Sequence, residues 1–224
     1  MLFRSLRRYA ADFLGIQETR ILLERMESTY GELIKEVMRT VPLQRIAEVY
    51  RLLIAEGVSI RNQRALLESM VEWGARETDS PRLAEQLRTA LARQISHQYA
   101  DRNRVISAFV LAPALEEQLR NGLRRQDNAR DSFPEHTNRA LLVQLRSACE
   151  SLPEDDMTVV LVHPEVRRAL RRLVMRGELD VAVLSFRDLA GEYNLQAVGT
   201  ITLNEITNRR AVSGVPTTPM ATAS

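Results

Sequence analysis

Val110-Leu111-Ala112-Pro113-Ala114-Leu115-Glu116-Glu117-Gln118-Leu119-Arg120 recurs, 51 residues later, as Leu161-Val162-His163-Pro164-Glu165-Val166-Arg167-Arg168-Ala169-Leu170-Arg171. Each copy ends an apolar strand, crosses one spacer, opens a helix on proline and then sets apolar residues four apart. Proline suits a first helical position because its missing N–H has no partner there in any case. Two strand-to-helix units imply neighbouring strands of one sheet, covered by helices. The plainer alternative is that any such unit can begin with proline.

Working outward, Val105–Leu111 reads as a strand, being short, β-branched and bounded by Asp101-Arg102-Asn103. Met157–Val162, Val181–Leu184 and Leu195–Leu203 read as three more. Between them lie helices through Leu115, Leu119 and Leu123, from Pro134 to Leu152, and through Leu173, with a polar loop at Gln126–Ser132. Upstream the period is that of helices throughout. One runs from Leu2 to Leu14, with Gly15 at the position where a left-handed residue stops a helix. A second carries Ile21, Leu22, Leu23 and Met26, with Glu18 in its first turn. A third carries Leu33, Ile34, Val37 and Met38. Pro42 opens a fourth, with stripe Ile46, Val49, Tyr50, Leu53 and Ile54, and Gly57 closes it. Ser59 is the expected cap of a fifth through Leu66, Leu67, Met70 and Val71. Ser80-Pro81 opens a sixth through Leu83, Leu87, Leu91 and Ile95. The expected class is therefore α+β: an all-helical part, then a small α/β part with a mostly parallel sheet. The divisions fall at 1–15, the end of a preceding unit; 16–100, helical; 101–203, α/β; and 204–224, a disordered tail.

Bulk composition agrees with a globular protein of 224 residues, 45% hydrophobic and 27% charged, whose cores must be aliphatic because aromatics are only 5%. Basic residues number 31 against 29 acidic, and Lys35 is the only lysine. The pI near 9.0 reflects a small arginine surplus, and interleaved signs leave no single-signed field. One cysteine, Cys149, fits a reducing compartment. The first residues lack the apolar stretch and cleavage site of a signal peptide, and no run approaches the ~18 apolar residues of a membrane span. The expectation is a soluble, cytoplasmic chain.

Catalytic constellations are missing. His97, His136 and His163 lie far apart, without the spacing of metal ligands. No Walker loop, G-x-S-x-G or G-x-G-x-x-G occurs. Cys149 shares a helix with Leu141, Leu142 and Leu145, which suits a buried thiol better than a nucleophile. Asp155-Asp156 reads as a solvated turn, and Trp73 as a core or interface anchor. No enzyme, cofactor or metal is expected. Glu48–Ala55, the turn Glu56–Ser59 and Ile60–Trp73 do have helix-turn-helix spacing, so a DNA-binding regulator with an α/β effector part is the alternative. Against it, Glu68 and Glu72 share the exposed side with Arg61, Asn62, Gln63 and Arg64 and would face phosphates.

Phe13-Leu14-Gly15-Ile16-Gln17-Glu18-Thr19, Val41-Pro42-Leu43-Gln44-Arg45-Ile46-Ala47-Glu48-Val49, Glu56-Gly57-Val58-Ser59-Ile60-Arg61-Asn62 and Leu195-Gln196-Ala197-Val198-Gly199-Thr200-Ile201 occur in this order. Together they resemble signatures of the type III secretion export-gate proteins, the flagella/hypersensitive-response/invasion protein export pore family. The resemblance implies the third and fourth subdomains of a cytoplasmic region on the inner face of the bacterial inner membrane. It implies a homo-oligomeric ring, nonameric in the family, and a cleft that receives the stalk protein of the export ATPase complex. Chaperone–substrate complexes would dock mainly on subdomains this chain lacks; neither nucleic acid nor membrane contact is implied. On that basis Arg45, Glu48, Arg61, Arg64, Glu68 and Glu72 are candidate ring contacts, since interleaved signs suit self-assembly. Arg167, Arg168, Arg171 and Arg172 are candidates for the border of the partner cleft. A merely solvated face is the alternative for both sets. Gln63 stands where the family's pattern is apolar and reads as local drift.

Overall fold

A computed structural model describes residues 13–125, 132–151 and 157–203. All but the end of the expected Leu2–Leu14 helix, nearly all of the Gln126–Ser132 loop, Asp155-Asp156 and the tail from Asn204 lie outside the described residues.

The helical part begins with α1 (Ile16–Thr40), in which the two helices expected from sequence are arms of one, bent at Tyr30 where the backbone leaves helical geometry (φ −127°, ψ 25°). Gly15 does not end a helix in the left-handed region; it caps α1, its N–H donating to Glu18 Oε2 at 2.8 Å. Then follow α2 (Leu43–Ala55), α3 (Gln63–Trp73), α4 (Ser80–Ala90) and α5 (Ala92–Tyr99). Two caps differ from expectation by a short step. Asn62, rather than Ser59, accepts from Ala65 N–H, and Asp79, rather than Ser80, accepts from Arg82 N–H. Ser80 instead donates its hydroxyl to Glu48 Oε2 at 2.7 Å. The expected sixth helix is broken at Leu91 into α4 and α5.

The α/β part runs β1 (Val105–Leu111), α6 (Pro113–Arg125), α7 (Glu135–Glu150), β2 (Val159–Val162), α8 (Pro164–Arg176), β3 (Ala182–Ser185), a 3₁₀ turn (Phe186–Asp188) and β4 (Asn194–Ile201). The strands form one parallel sheet in the order β3-β2-β1-β4. Both strand-proline-helix units are present, and they lock together: Glu116 of the first accepts the His163 N–H of the second at 2.6 Å.

Period-2 alternation sends the two faces of this sheet into different cores. Phe109, Leu111, Val160, Val162 and Val183 pack with α6, α7 and α8. Ile106, Ala108, Val159, Leu161 and Leu184 pack instead with the helical part, around Ile46, Tyr50, Leu53, Leu66, Leu83 and Leu87. The helical part thus supplies the cover for one sheet face, and its core crosses the boundary expected near residue 100.

Gln63 is not drift. It is buried, its Oε1 accepts from the Tyr50 hydroxyl at 2.7 Å and its Nε2 donates to Ile60 O at 2.6 Å. Burial pushes the Tyr50 hydroxyl pKa up, keeping it a donor. Gln63→Leu should therefore cost about 1–3 kcal/mol by stranding the Tyr50 hydroxyl. Chemical denaturation should show the Tyr50→Phe, Gln63→Leu double variant losing less than the two single losses combined.

Candidate functional site

Helix α8 must bury one stripe on the sheet, and Val166, Ala169, Leu170, Leu173 and Val174 form it. Its arginines cannot then all share a surface. At 100° per residue, Arg167 and Arg171 fall together on the side facing the helical part, whereas Arg168 and Arg172 fall further round.

Arg167 is sealed, with 1% of its side chain exposed. Its guanidinium forks between two carboxylates of the helical part. Nη1 and Nη2 donate to Glu56 at 2.6 and 3.3 Å; Nε donates to Glu85 Oε2 at 2.6 Å, and Nη2 also reaches Glu85 Oε1. Arg88 on α4 makes the reciprocal contacts. Its Nε donates to Asp188 Oδ1 at 3.0 Å and its Nη1 to Glu56 Oε2 at 2.9 Å. Asp188 is fixed in turn, because its Oδ2 accepts from the Ser185 N–H at 2.7 Å and hydroxyl at 3.0 Å. Two arginines and three carboxylates from α2's end, α4, α8 and the 3₁₀ turn thus close one network across the seam.

The electrostatics follow from burial set against pairing. Burial alone would raise the Glu56 pKa, but Arg167 and Arg88 outweigh it and hold the carboxyl at about 2. Burial likewise disfavours charge on Arg167, yet Glu56 and Glu85 keep its pKa well above the ordinary arginine value. Arg171 sits beside this cluster and donates from Nη1 to Val181 O at 3.3 Å; burial lowers its pKa, with Glu56 opposing.

Arg167 is accordingly not on the border of an open cleft, and Arg171 faces the same seam. Adjacent arginines in sequence looked like one basic patch, but the sheet-facing stripe divides them. Arg168 and Arg172 remain on the outer side. Arg168 is 18% exposed, with Nη1 3.6 Å from Asp79 Oδ2 across the seam, and Arg172 is exposed. Nearby, Arg124 pairs with Glu165 at 2.8 Å and Arg120 at 3.4 Å, tying α6 to the start of α8.

The candidate ring contacts also divide. Glu48, Arg61, Arg64, Glu68 and Glu72 are exposed. Arg64 donates to its own Glu68 at 2.8 Å, so the supposed reader helix of a DNA-binding motif presents an ion pair with Glu72 alongside. Arg45 is turned inward instead. It is half-buried and donates to Gly74 O at 3.0 Å, while its Nε and Nη2 are enclosed without acceptors among the described residues. Among the described residues no group of His, Cys, Asp or Glu side chains comes together as a metal site, and no helix is long and apolar enough to cross a membrane.

Glu56, Glu85, Arg88 and Asp188 were missed in the sequence reading. Arg88 did carry a signal, since it directly follows Leu87 on the buried stripe, a position that demands a partner for any charge. Ser185-Phe186-Arg187-Asp188 is an S-x-x-D capping box.

The sequence matches the FHIPEP family over residues 1–194. It is 42% identical over 201 residues to the low calcium response locus protein D of Yersinia pestis, covering 88% of this chain and 28% of that protein. The structure is similar to Chlamydia pneumoniae CdsV in its complex with CdsO, with TM-score 0.80, 30% identity, and 90% of this chain and 60% of that one covered. It is also similar to the nonameric SctV-C of EPEC, with TM-score 0.77, 27% identity, and 89% and 61% covered.

Acid should loosen the network with a defined sign. Unfolded, Glu56 takes a proton near its ordinary 4.5; folded, only near 2. The unfolded chain therefore binds more protons between these values. The stabilisation present above about pH 4.5 is lost as pH falls toward 2, roughly 3 kcal/mol in all. Denaturation midpoints measured across this window should fall in the native chain and stay flatter in Glu56→Gln. Arg167→Ala, which leaves Glu56 with Arg88 alone and Glu85 without its arginine, should destabilise the chain at neutral pH by less than the ~3–5 kcal/mol of a fully stranded buried charge.

Proposed function

The chain belongs to the FHIPEP family, and on that footing we propose that it is the C-terminal part of a type III secretion export gate's cytoplasmic region. In this reading it is a structural component of the export apparatus and not an enzyme. It works at the cytoplasmic face of the inner membrane and assembles with copies of itself into a ring. The observation that carries the reading is the likeness to the nonameric SctV-C of EPEC over 89% of this chain, together with the family match. Because the chain spans 28% of its Yersinia pestis relative, the activity of the whole protein comes to it only through this proposal.

The geometry supports a division of labour. The helical part offers exposed charges of both signs: Glu48 on α2, Arg61 in the turn before α3, and Arg64, Glu68 and Glu72 on α3. An exposed pair such as Arg64–Glu68 is screened by solvent and contributes little, so exchanging it for a pair with a neighbouring copy costs little. Ring closure then rests on many such contacts plus apolar ones. Arg45, engaged within the chain, is left out of this set. The α/β part offers the outer side of α8, where Arg168 and Arg172 would meet a stalk-type partner; that CdsV forms a complex with CdsO supports a protein partner here. Substrate–chaperone complexes would engage chiefly other parts of the longer protein.

Reversing charge at one position at a time tests the ring. Arg61→Glu or Glu68→Arg alone should weaken assembly of the full cytoplasmic region in sedimentation experiments, and mixing the two variants should restore part of it. Unchanged sedimentation for both would remove the assignment. For the outer arginines, a joint Arg168→Glu, Arg172→Glu variant should bind the stalk protein at least tenfold more weakly in titration calorimetry, with its fold intact by circular dichroism.

A further inference from the structure

Apolar packing and charge-assisted hydrogen bonds join the helical and α/β parts, and they constrain different things. Beside them stands a neutral contact at Ser96, whose hydroxyl donates to Asp188 O at 3.4 Å and accepts from Ala190 N–H at 2.9 Å. The apolar core that crosses the seam, from Leu53 and Leu87 to Ile106, Ala108, Leu161 and Leu184, resists separation. Apolar attraction is non-directional, however, and tolerates sliding and rotation. Charge-assisted forks do not, because each N–H must meet its oxygen within a few tenths of an ångström. Three ion pairs cross the seam in the buried network: Arg167 to Glu56, Arg167 to Glu85, and Arg88 to Asp188. Their arginines are 1% and 3% exposed, while Glu56 and Glu85 keep 21% and 25% of their side chains exposed, so a broken bond costs the guanidinium far more than the carboxylate. Glu56 ties the two arginines together by accepting from both on Oε2. Arg93–Glu192 and Arg168–Asp79 cross the same seam at its surface.

We propose that this network is a positional lock that fixes the orientation of the α/β part on the helical part, with Arg167 as its pin, so that the described chain moves as one block. A displacement imposed on either part is then passed to the other and not absorbed at the Ala100–Arg104 connection. In the longer proteins of the family, any hinge would lie outside this pair. The inference stands on the seam alone and does not depend on which partner docks on α8.

The test measures orientation separately from folding. In a Cys149→Ser background, spin labels at Arg51→Cys on α2 and Gln118→Cys on α6, both exposed, report the distance between the two parts by pulsed electron resonance. The otherwise native chain should give one narrow distribution. Arg167→Met should broaden it at least twofold while amide exchange stays slow in α2 and in β1 and β2. Native width together with intact protection would overturn the lock, leaving the apolar core and the Ser96 hydrogen bonds as sufficient. If Arg167→Met does not fold, Glu85→Gln and Asp188→Asn each remove one bond of the network. Broadening in either supports the lock, and native width in both overturns it.

Discussion

Arg167 cannot leave the seam without unpairing Glu85 and leaving Glu56 to Arg88 alone, and neither carboxylate can be neutralised without weakening the pairing of a buried guanidinium. That mutual requirement governs how the two parts of the chain sit together. Desolvating the ions costs several kcal/mol each, and pairing only roughly offsets it. The network therefore contributes little net stability compared with apolar residues of the same shape. Its effect lies in selection: misaligned arrangements of the two parts leave charge unpaired in an apolar seam, and each is penalised by the full desolvation cost. A core built from leucine, isoleucine and valine alone would not discriminate among them so sharply.

The sheet sets the stage for this seam. With β2 and β1 central, β1, β2 and β3 each deliver alternate side chains to opposite cores. One core closes locally with α6, α7 and α8. The other closes only when α2 to α5 cover Ile106, Val159 and Leu184. The α/β part is consequently incomplete without its predecessor in sequence, and the boundary near residue 100 marks a change of secondary structure and not a change of core. Helix α8 stands between the two arrangements. Its apolar stripe belongs to the local core, while Arg167 and Arg171 belong to the seam.

Element types were legible from sequence because period and turn chemistry are local. The strand Val105–Leu111, the paired units at Pro113 and Pro164 and the Glu56-Gly57 stop all follow from neighbours within a few residues. What local pattern could not supply was long-range pairing. Arg88 and Asp188 are 100 residues apart, Arg167 and Glu56 111, and no spacing rule connects them. The arginines of α8 looked alike as a run of charge; only the direction of the buried stripe separates Arg167 from Arg168. Gln63 looked like a lapse in an apolar pattern because the Tyr50 hydroxyl it satisfies lies on another helix.

The segments that carry the family likeness are also those where the backbone has least choice. Gly57 follows Glu56 with φ 76°, a conformation that a side chain resists, and it turns the chain so that Glu56 ends α2 beside both arginines. A residue with a Cβ there would strain the turn that places the shared acceptor. Gly199 lies opposite Phe109 in the β1–β4 ladder, and a Cβ on it would stand 2.7 Å from the ring. The ring in turn fills the local core below the sheet. Gly15 opens α1 with its N–H held by Glu18. These short stretches fix a charge, a ring and a helix start, so their resemblance to relatives has a physical reading that does not depend on what docks on the surface.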